Sequence, residues 1–384
     1  MGKKDPNPFR FGALALGGAF TDRQAELREL VAEMQNGQDV LVYAPRRYGK
    51  SSLVLRAASR AGRDGALVGY VDLLKVTSKE RLAAALARTI HRDLDTPSGR
   101  TYERAAELFR SLRIVPTMEV DPQDGSLAFS FRATRHRTDI DDTIESLLEL
   151  LARIGTERRR QVVMIFDEFQ EIVELDARYP NLLRAVFQTQ PDVAHIYLGS
   201  KRHVLDRIFG DRNEPFWRSA KKMEIGLIGT ELFARFVCSR FDRTDKGITE
   251  AAAARLVALT AGHPYGTQEL AHEVWERTPS GAFAYESDVD AGLERVLRAE
   301  HNHLEQLWAD APRTQRRLLG ALAAEPTPSP YAEDYRTAFD LPAAPTLQSA
   351  LTALIRKELV GRVEDGTLAI IEPFLAAWVR REAA

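Results

Sequence analysis

Eight consecutive residues, Ala44, Pro45, Arg46, Arg47, Tyr48, Gly49, Lys50 and Ser51, have the types and order of a loop that cradles phosphate groups. Gly49 lets the backbone approach a phosphate closely. The amides that open a following helix, Ser52 among them, point at negative charge. Lys50 has the reach for the β- and γ-phosphates of a nucleotide, and the Ser51 hydroxyl suits the shell of a Mg²⁺ ion. Ala44 stands where the strict pattern has glycine, a small departure that the loop tolerates. A second set of candidates lies far downstream, where the apolar run 161–166 ends in Asp167 and Glu168. Asp167 is suited to hold Mg²⁺ through water, and Glu168 to polarise a water that attacks the γ-phosphate.

Both sets need a scaffold. Residues 39–43 form an apolar run before the phosphate loop, and 52–59 look helical after it, so the loop reads as the turn between a strand and a helix. Residues 161–168 read as a strand buried on both faces, the pattern of a parallel sheet covered by helices. Acids at its carboxyl end fall where ligands bind in open α/β sheets. Residues 66–71, 193–198 and 222–225 supply further strands, alternating with helices over 22–36, 79–94, 101–112 and 140–154. Five strands alternating with helices predict a doubly wound α/β sheet. An inserted hairpin is expected around 114–132, with an Asp-Gly turn. Residues 230–303 read as helical, with breaks at Gly247, at 261–264 and near 279–281. Helices over 312–323, 331–339 and 347–357, followed by a hairpin over 359–371, predict a winged helix-turn-helix.

Composition narrows the class. A chain of 384 residues with 44% hydrophobic and 28% charged residues is that of an ordinary globular protein with two or three domains. A net charge of −2 provides no global pull toward nucleic acid or acidic membranes. Cys238 is the single cysteine, which excludes disulfide frameworks and cysteine zinc sites and fits a reducing compartment. No apolar stretch approaches the ~18 residues a bilayer span requires. The first residues faintly resemble a signal peptide, but Asp5, Pro6, Pro8 and Arg10 interrupt the pattern. The expectation is a cytoplasmic protein with no membrane partner.

Taken in order, the motifs resemble the archaeal-type ATPases of the STAND/AAA+ group, over roughly residues 20–380. Residues 20–27 resemble the family's opening Phe-x-Gly-Arg-x-x-Glu-Leu, with Asp22 in place of glycine and Arg23 matching; this segment implies packing near the adenine. Residues 45–51 and 165–170 match its nucleotide motifs, and Ser200 falls at its sensor position, where a polar side chain feels the γ-phosphate. Arg218 falls where the family often carries an arginine that acts on a neighbour's nucleotide. Gly262 and Pro264 resemble the Gly-x-Pro element of its helical lid. Residues 372–379 resemble the closing Asp-Pro-x-x-x-x-Trp, with Glu372 for aspartate. The resemblance implies a P-loop NTPase three-layer αβα core over residues 1–228, a helical lid over 229–310 and a winged helix over 311–384. It also implies ATP rather than GTP, with Mg²⁺.

Several of these residues have a second reading. Ser200 also suits a cap for the helix that follows. Arg218 also reads as a solvated charge or a partner for Glu214. Arg46 and Arg47 suit either phosphate or an ion pair with the lid, and His263 suits a cap better than a catalytic base. Two functions follow. One is an ATPase switch, slow as a monomer, in which a homo-oligomeric neighbour supplies Arg218 and an unidentified protein partner is engaged or released. The other is a DNA-binding regulator that uses ATP to assemble. Residues 311–384 hold nine Lys/Arg against nine Asp/Glu, so the winged helix is neutral, which argues against strong backbone affinity. The basic stretch at Lys201, Arg202, Arg207 and Arg212 reads first as a solvated loop, and otherwise as a DNA contact of an assembled ring.

Overall fold

A strand with apolar residues at every position can only sit where both faces are covered, and residues 162–167 are buried at every position. The computed structural model describes residues 6–12, 14, 20–94, 117–120, 127–130, 138–363 and 366–382. The expected helix over 101–112 and the hairpin turn over 121–126 lie outside them. The chain forms two compact units, one of residues 24–44 and 53–224, the other of residues 1–23, 45–52 and 225–384.

The sheet unit runs through α1 (Gln24–Gln35), β1 (Val40–Tyr43), α2 (Lys50–Arg63, from Leu53 onward), β2 (Leu67–Asp72), α3 (Lys79–Thr89), β3 (Thr117–Val120) and β4 (Leu127–Ser130). It continues with α4 (Thr138–Arg158), β5 (Val162–Asp167), α5 (Glu171–Leu175), α6 (Tyr179–Phe187), β6 (Val193–Gly199), α7 (Arg202–Gly210) and β7 (Lys221–Glu224). Five strands form one parallel sheet in the order β2-β5-β6-β1-β7. Central β5 and β6 are buried throughout, whereas edge strand β2 alternates buried and half-buried positions. The order jumps beside β1, so the chain leaves its carboxyl end at the kind of switch point where α/β sheets bind ligands. At the opposite end of β1, Asp39 pins the neighbouring strand. Its Oδ1 accepts the His195 backbone N–H at 2.9 Å, and its Oδ2 the Tyr197 hydroxyl at 3.2 Å. The expected hairpin is present as the antiparallel pair β3–β4. Beyond α3 the helix widens into a π turn over residues 90–94, which the apolar periodicity alone does not announce.

The other unit holds α8 (Thr230–Phe241), β8 (Gly247–Ile248), α9 (Glu250–Leu259), α10 (Pro264–Arg277), β9 (Phe283–Ala284), α11 (Glu286–Ala299) and α12 (His301–Ala309). Then come α13 (Arg313–Ala324), α14 (Glu333–Ala338), α15 (Ala344–Arg356), β10 (Val360–Arg362), β11 (Leu368–Ile370) and α16 (Leu375–Glu382). One hydrophobic core runs from Phe241 in α8 and Trp275 in α10 to Leu318 in α13, Leu354 in α15 and Trp378 in α16. The two-residue strands β8 and β9 pair in parallel, an element too short to leave a sequence period. Thr327 bridges to Leu368 and widens the wing beyond the expected hairpin. Phe9, within the stretch that resembles a signal peptide, is a core residue whose ring lies 5.4 Å from Phe241. Among the described residues no helix is long and apolar enough to cross a membrane.

Candidate nucleotide site

The phosphate loop begins where β1 ends. Ala44 is buried, and its amide donates to the Gly199 carbonyl at 3.5 Å, so a small residue continues the sheet there. Gly49 has φ +82°, a left-handed conformation that a side chain would strain. Lys50 opens α2 and is buried, with Nζ donating to the Pro45 carbonyl at 3.2 Å. Ser51 and Ser52 follow in the first helical turn.

Around residues 45–52 stand other residues of the same compact unit. Arg23 is buried with φ +59°, and its guanidinium donates to the carbonyls of Tyr48 at 3.3 Å and Gly226 at 2.7 Å. The Tyr48 ring meets His263 edge-on at 4.9 Å. His263 caps α10: its Nδ1 accepts the Gly266 amide at 3.2 Å, and Pro264 occupies the first helical position. Burial, with the nearby Arg47 charge, pushes the imidazole down to about 3, so the ring is the neutral acceptor that capping requires. Gly262, with φ +70°, packs against the Ile228 backbone and accepts its amide at 3.1 Å; any Cβ there would collide with the Ile228 carbonyl.

Arg47, at φ +65°, lays its guanidinium over the Tyr265 ring, 4.3 Å from the centroid. The Arg46 amide reaches Glu358 of the winged helix at 3.5 Å. Arg47 is surrounded by acids. Burial pushes the Glu269 carboxyl up to about 7; the neighbouring Glu300 adds to the rise and Arg47 opposes it. Burial also raises Glu372, against the pull of Arg47 and of His303, whose Nε2 lies 3.7 Å from the carboxylate.

The strand-end carboxylates are held within the sheet unit. Asp167 is buried; its Oδ2 accepts the Tyr70 hydroxyl at 2.5 Å and its Oδ1 the Glu168 amide at 2.9 Å. Glu168 has φ +52° and accepts hydrogen bonds from the Gln170 side-chain amide and from the Ser200 hydroxyl, the latter at 2.9 Å. Ser200 does not cap α7, whose cap position is Lys201 with no side-chain bond. Lys201 and Arg202 are engaged in ion pairs with Glu171 at 2.9 Å and Glu224 at 3.0 Å.

Arg218 is exposed, with φ +53°, and its guanidinium lies 4.9 Å from the Trp217 ring centroid. It forms no ion pair with Glu214 among the described residues. Its loop is anchored by Phe216, fully buried, whose ring lies 5.5 Å from that of Phe169, the residue after Glu168. Sequence reasoning did not single out Tyr70, Gln170, Glu269 or Glu358. Gln170 closes the motif over residues 165–170 and is detectable there; the others act across register or fold and leave no local sign.

Residues 20–207 match the model of an ATPase domain family described as predominantly from Archaea, and residues 302–381 match a probable winged helix domain. Over residues 20–207 the chain is similar to that family of ATPase domains, a match that supports ATP hydrolysis. Among solved structures the chain resembles the Walker-type ATPase PABY2304 of Pyrococcus abyssi, at 18% identity over 97% of this chain and 99% of that one, with a TM-score of 0.64. The Aeropyrum pernix ORC1 protein in complex with DNA aligns at 14% identity over 94% and 93% of the two chains, with a TM-score of 0.47. The Thermotoga maritima RuvB Holliday junction branch migration motor aligns at 12% identity over 94% and 96%, with a TM-score of 0.45. These likenesses are of fold. No curated protein matches the chain significantly in sequence.

Proposed function

We propose that the chain is a Mg²⁺-dependent ATPase switch in which nucleotide state changes how the lid and winged helix hold the phosphate loop. The observation that carries this reading is the set of contacts on residues 46–48: Glu358 on the Arg46 amide, Tyr265 under Arg47 and His263 against Tyr48. A triphosphate offers Arg47 a stronger anion than the carboxylates it now faces, so binding would redistribute these contacts. In this reading the sheet core of residues 1–228, the lid of 229–310 and the winged helix of 311–384 are the moving parts.

The residues fit the roles. Lys50 would bind the β- and γ-phosphates, and Arg23 would set the nucleotide pocket through its hold on Tyr48. Asp167 and Ser51 carry hard oxygen donors of the kind Mg²⁺ takes, and would hold it; the ion supplies neutralisation of phosphate charge. Glu168 would accept a proton from the attacking water, with Ser200 and Gln170 fixing its carboxylate. Exposed Arg218 would act on the nucleotide of a neighbouring copy. Charge stabilisation of that kind contributes about 10³–10⁵ in rate, so an isolated monomer should turn over slowly. The DNA-binding reading gains little, because Lys201 and Arg202 are already paired within the protein.

The test is light scattering after size exclusion on wild type and Glu168→Gln, with and without Mg-ATP. Wild type and variant should be monomeric alone, and the variant should form a defined oligomer with ATP. A variant that binds ATP and stays monomeric would refute the trans role of Arg218.

A further inference from the structure

The geometry points to Tyr70 as a positioning residue for the metal-holding carboxylate, a role that rests on the assignment of Asp167 to Mg²⁺ above. Strands β2 and β5 are parallel, with Asp72 opposite Asp167 and Tyr70 opposite Ile165. Over two residues a strand advances about 6.6 Å, a distance that a tyrosine side chain spans. A tyrosine two residues before the end of the edge strand therefore delivers its hydroxyl to the last residue of the neighbour. The observed 2.5 Å bond from Tyr70 to Asp167 Oδ2 is that contact.

The arrangement is fixed from both sides. The Thr89 hydroxyl donates to the Tyr70 carbonyl at 3.1 Å and ties its peptide to α3. Asp167 Oδ1 takes the Glu168 amide at 2.9 Å, so the two oxygens are oriented by different donors, one local and one from another strand. A carboxylate that must meet a metal shell with its remaining lone pairs loses fewer orientations when its plane is already set. Partners of this kind typically change metal affinity by about 10- to 100-fold when removed.

Tyr70→Phe removes the hydroxyl and keeps the ring. Mn²⁺, as a paramagnetic stand-in for Mg²⁺, would be titrated by electron paramagnetic resonance into full-length wild type and variant, each saturated with a non-hydrolysable ATP analogue. Affinity for the analogue in EDTA is measured beside it. The expected result is an Mn²⁺ dissociation constant raised about tenfold, with analogue affinity in EDTA and thermal midpoint unchanged. An Mn²⁺ constant within twofold of wild type overturns the proposal. So does a parallel loss of metal-free analogue affinity or of stability, which would make Tyr70 a packing residue. If wild type itself binds no analogue, the nucleotide reading fails rather than the role of Tyr70; if Asp167→Asn leaves Mn²⁺ binding intact, the metal assignment fails.

Discussion

The phosphate loop and the strand-end carboxylates are held in different ways. Asp167 and Glu168 are oriented by groups of one sheet: Tyr70 from the adjacent strand, Ser200 from the end of the other neighbour, and Gln170 two residues on. The loop is held by Tyr265, His263 and Glu358, from helices and turns more than 200 residues downstream. A carboxylate set by strand register moves only if the sheet does. A loop gripped by residues of distant helices and turns is free to move when those contacts are exchanged. In the proposed function the carboxylate end is thus built into the sheet, and the loop end is adjustable.

The largest effect should come from the built end. Glu168→Gln keeps the size and the capacity to bond Ser200 but cannot take a proton from water. Hydrolysis should fall about 10²–10⁴-fold while ATP affinity stays within a few-fold, measured by phosphate release and equilibrium binding. A variant that retained more than a tenth of the wild-type rate would show that proton transfer to Glu168 is not the working step, and would remove one side of the contrast.

The same contrast explains what was legible in the sequence. The loop, the Asp167–Glu168 pair and the five-strand alternation are local patterns, and each emerged from periodicity or residue type. The bond from Tyr70 to Asp167 depends on which strands are neighbours and in what register, which no window of sequence contains. Glu269 reads as one more polar position on an amphipathic helix; only packing places it beside Arg47 and Glu300. Ser200 was visible as a candidate, but its choice between capping α7 and bonding Glu168 is made by the fold. The π turn over 90–94 and the two-residue strands β8 and β9 are shorter than any period that could reveal them.

A second prediction probes the adjustable end through pH. The Glu269 carboxyl is pushed from an ordinary 4.5 to about 7 by burial, then by Glu300 and Glu273, against Arg47 and the Tyr265 bond. The folded protein therefore holds this proton more tightly than the unfolded chain. Its contribution to stability is complete below about pH 4.5, declines as pH rises toward 7 and is flat above. Glu269→Gln mimics the neutral acid and should remove this decline. The variant should match wild type near pH 4.5 and exceed it by about 2–3 kcal/mol at pH 8 in urea unfolding. Equal slopes in the two proteins would mean that Glu269 ionises normally and that the acids around Arg47 are better hydrated than their burial implies.

The smallest effect is the sharpest test of the contrast. Tyr265→Leu removes the aromatic face under Arg47 and retains an apolar side chain on α10. A cation–π contact at a partly exposed site is worth about 0.5–1 kcal/mol, a factor of roughly two to five in an equilibrium. If the lid holds Arg47 away from the nucleotide, that energy opposes ATP binding, and its loss should raise ATP affinity by this factor with hydrolysis per bound ATP unchanged. If Tyr265 instead belongs to the nucleotide pocket, affinity should fall. A matching rise in Glu358→Gln, which keeps an acceptor for the Arg46 amide but removes its charge, would assign the restraint to the lid and winged helix together. A rise confined to Tyr265→Leu would assign it to the lid alone and leave the winged helix as a passive cover over the loop.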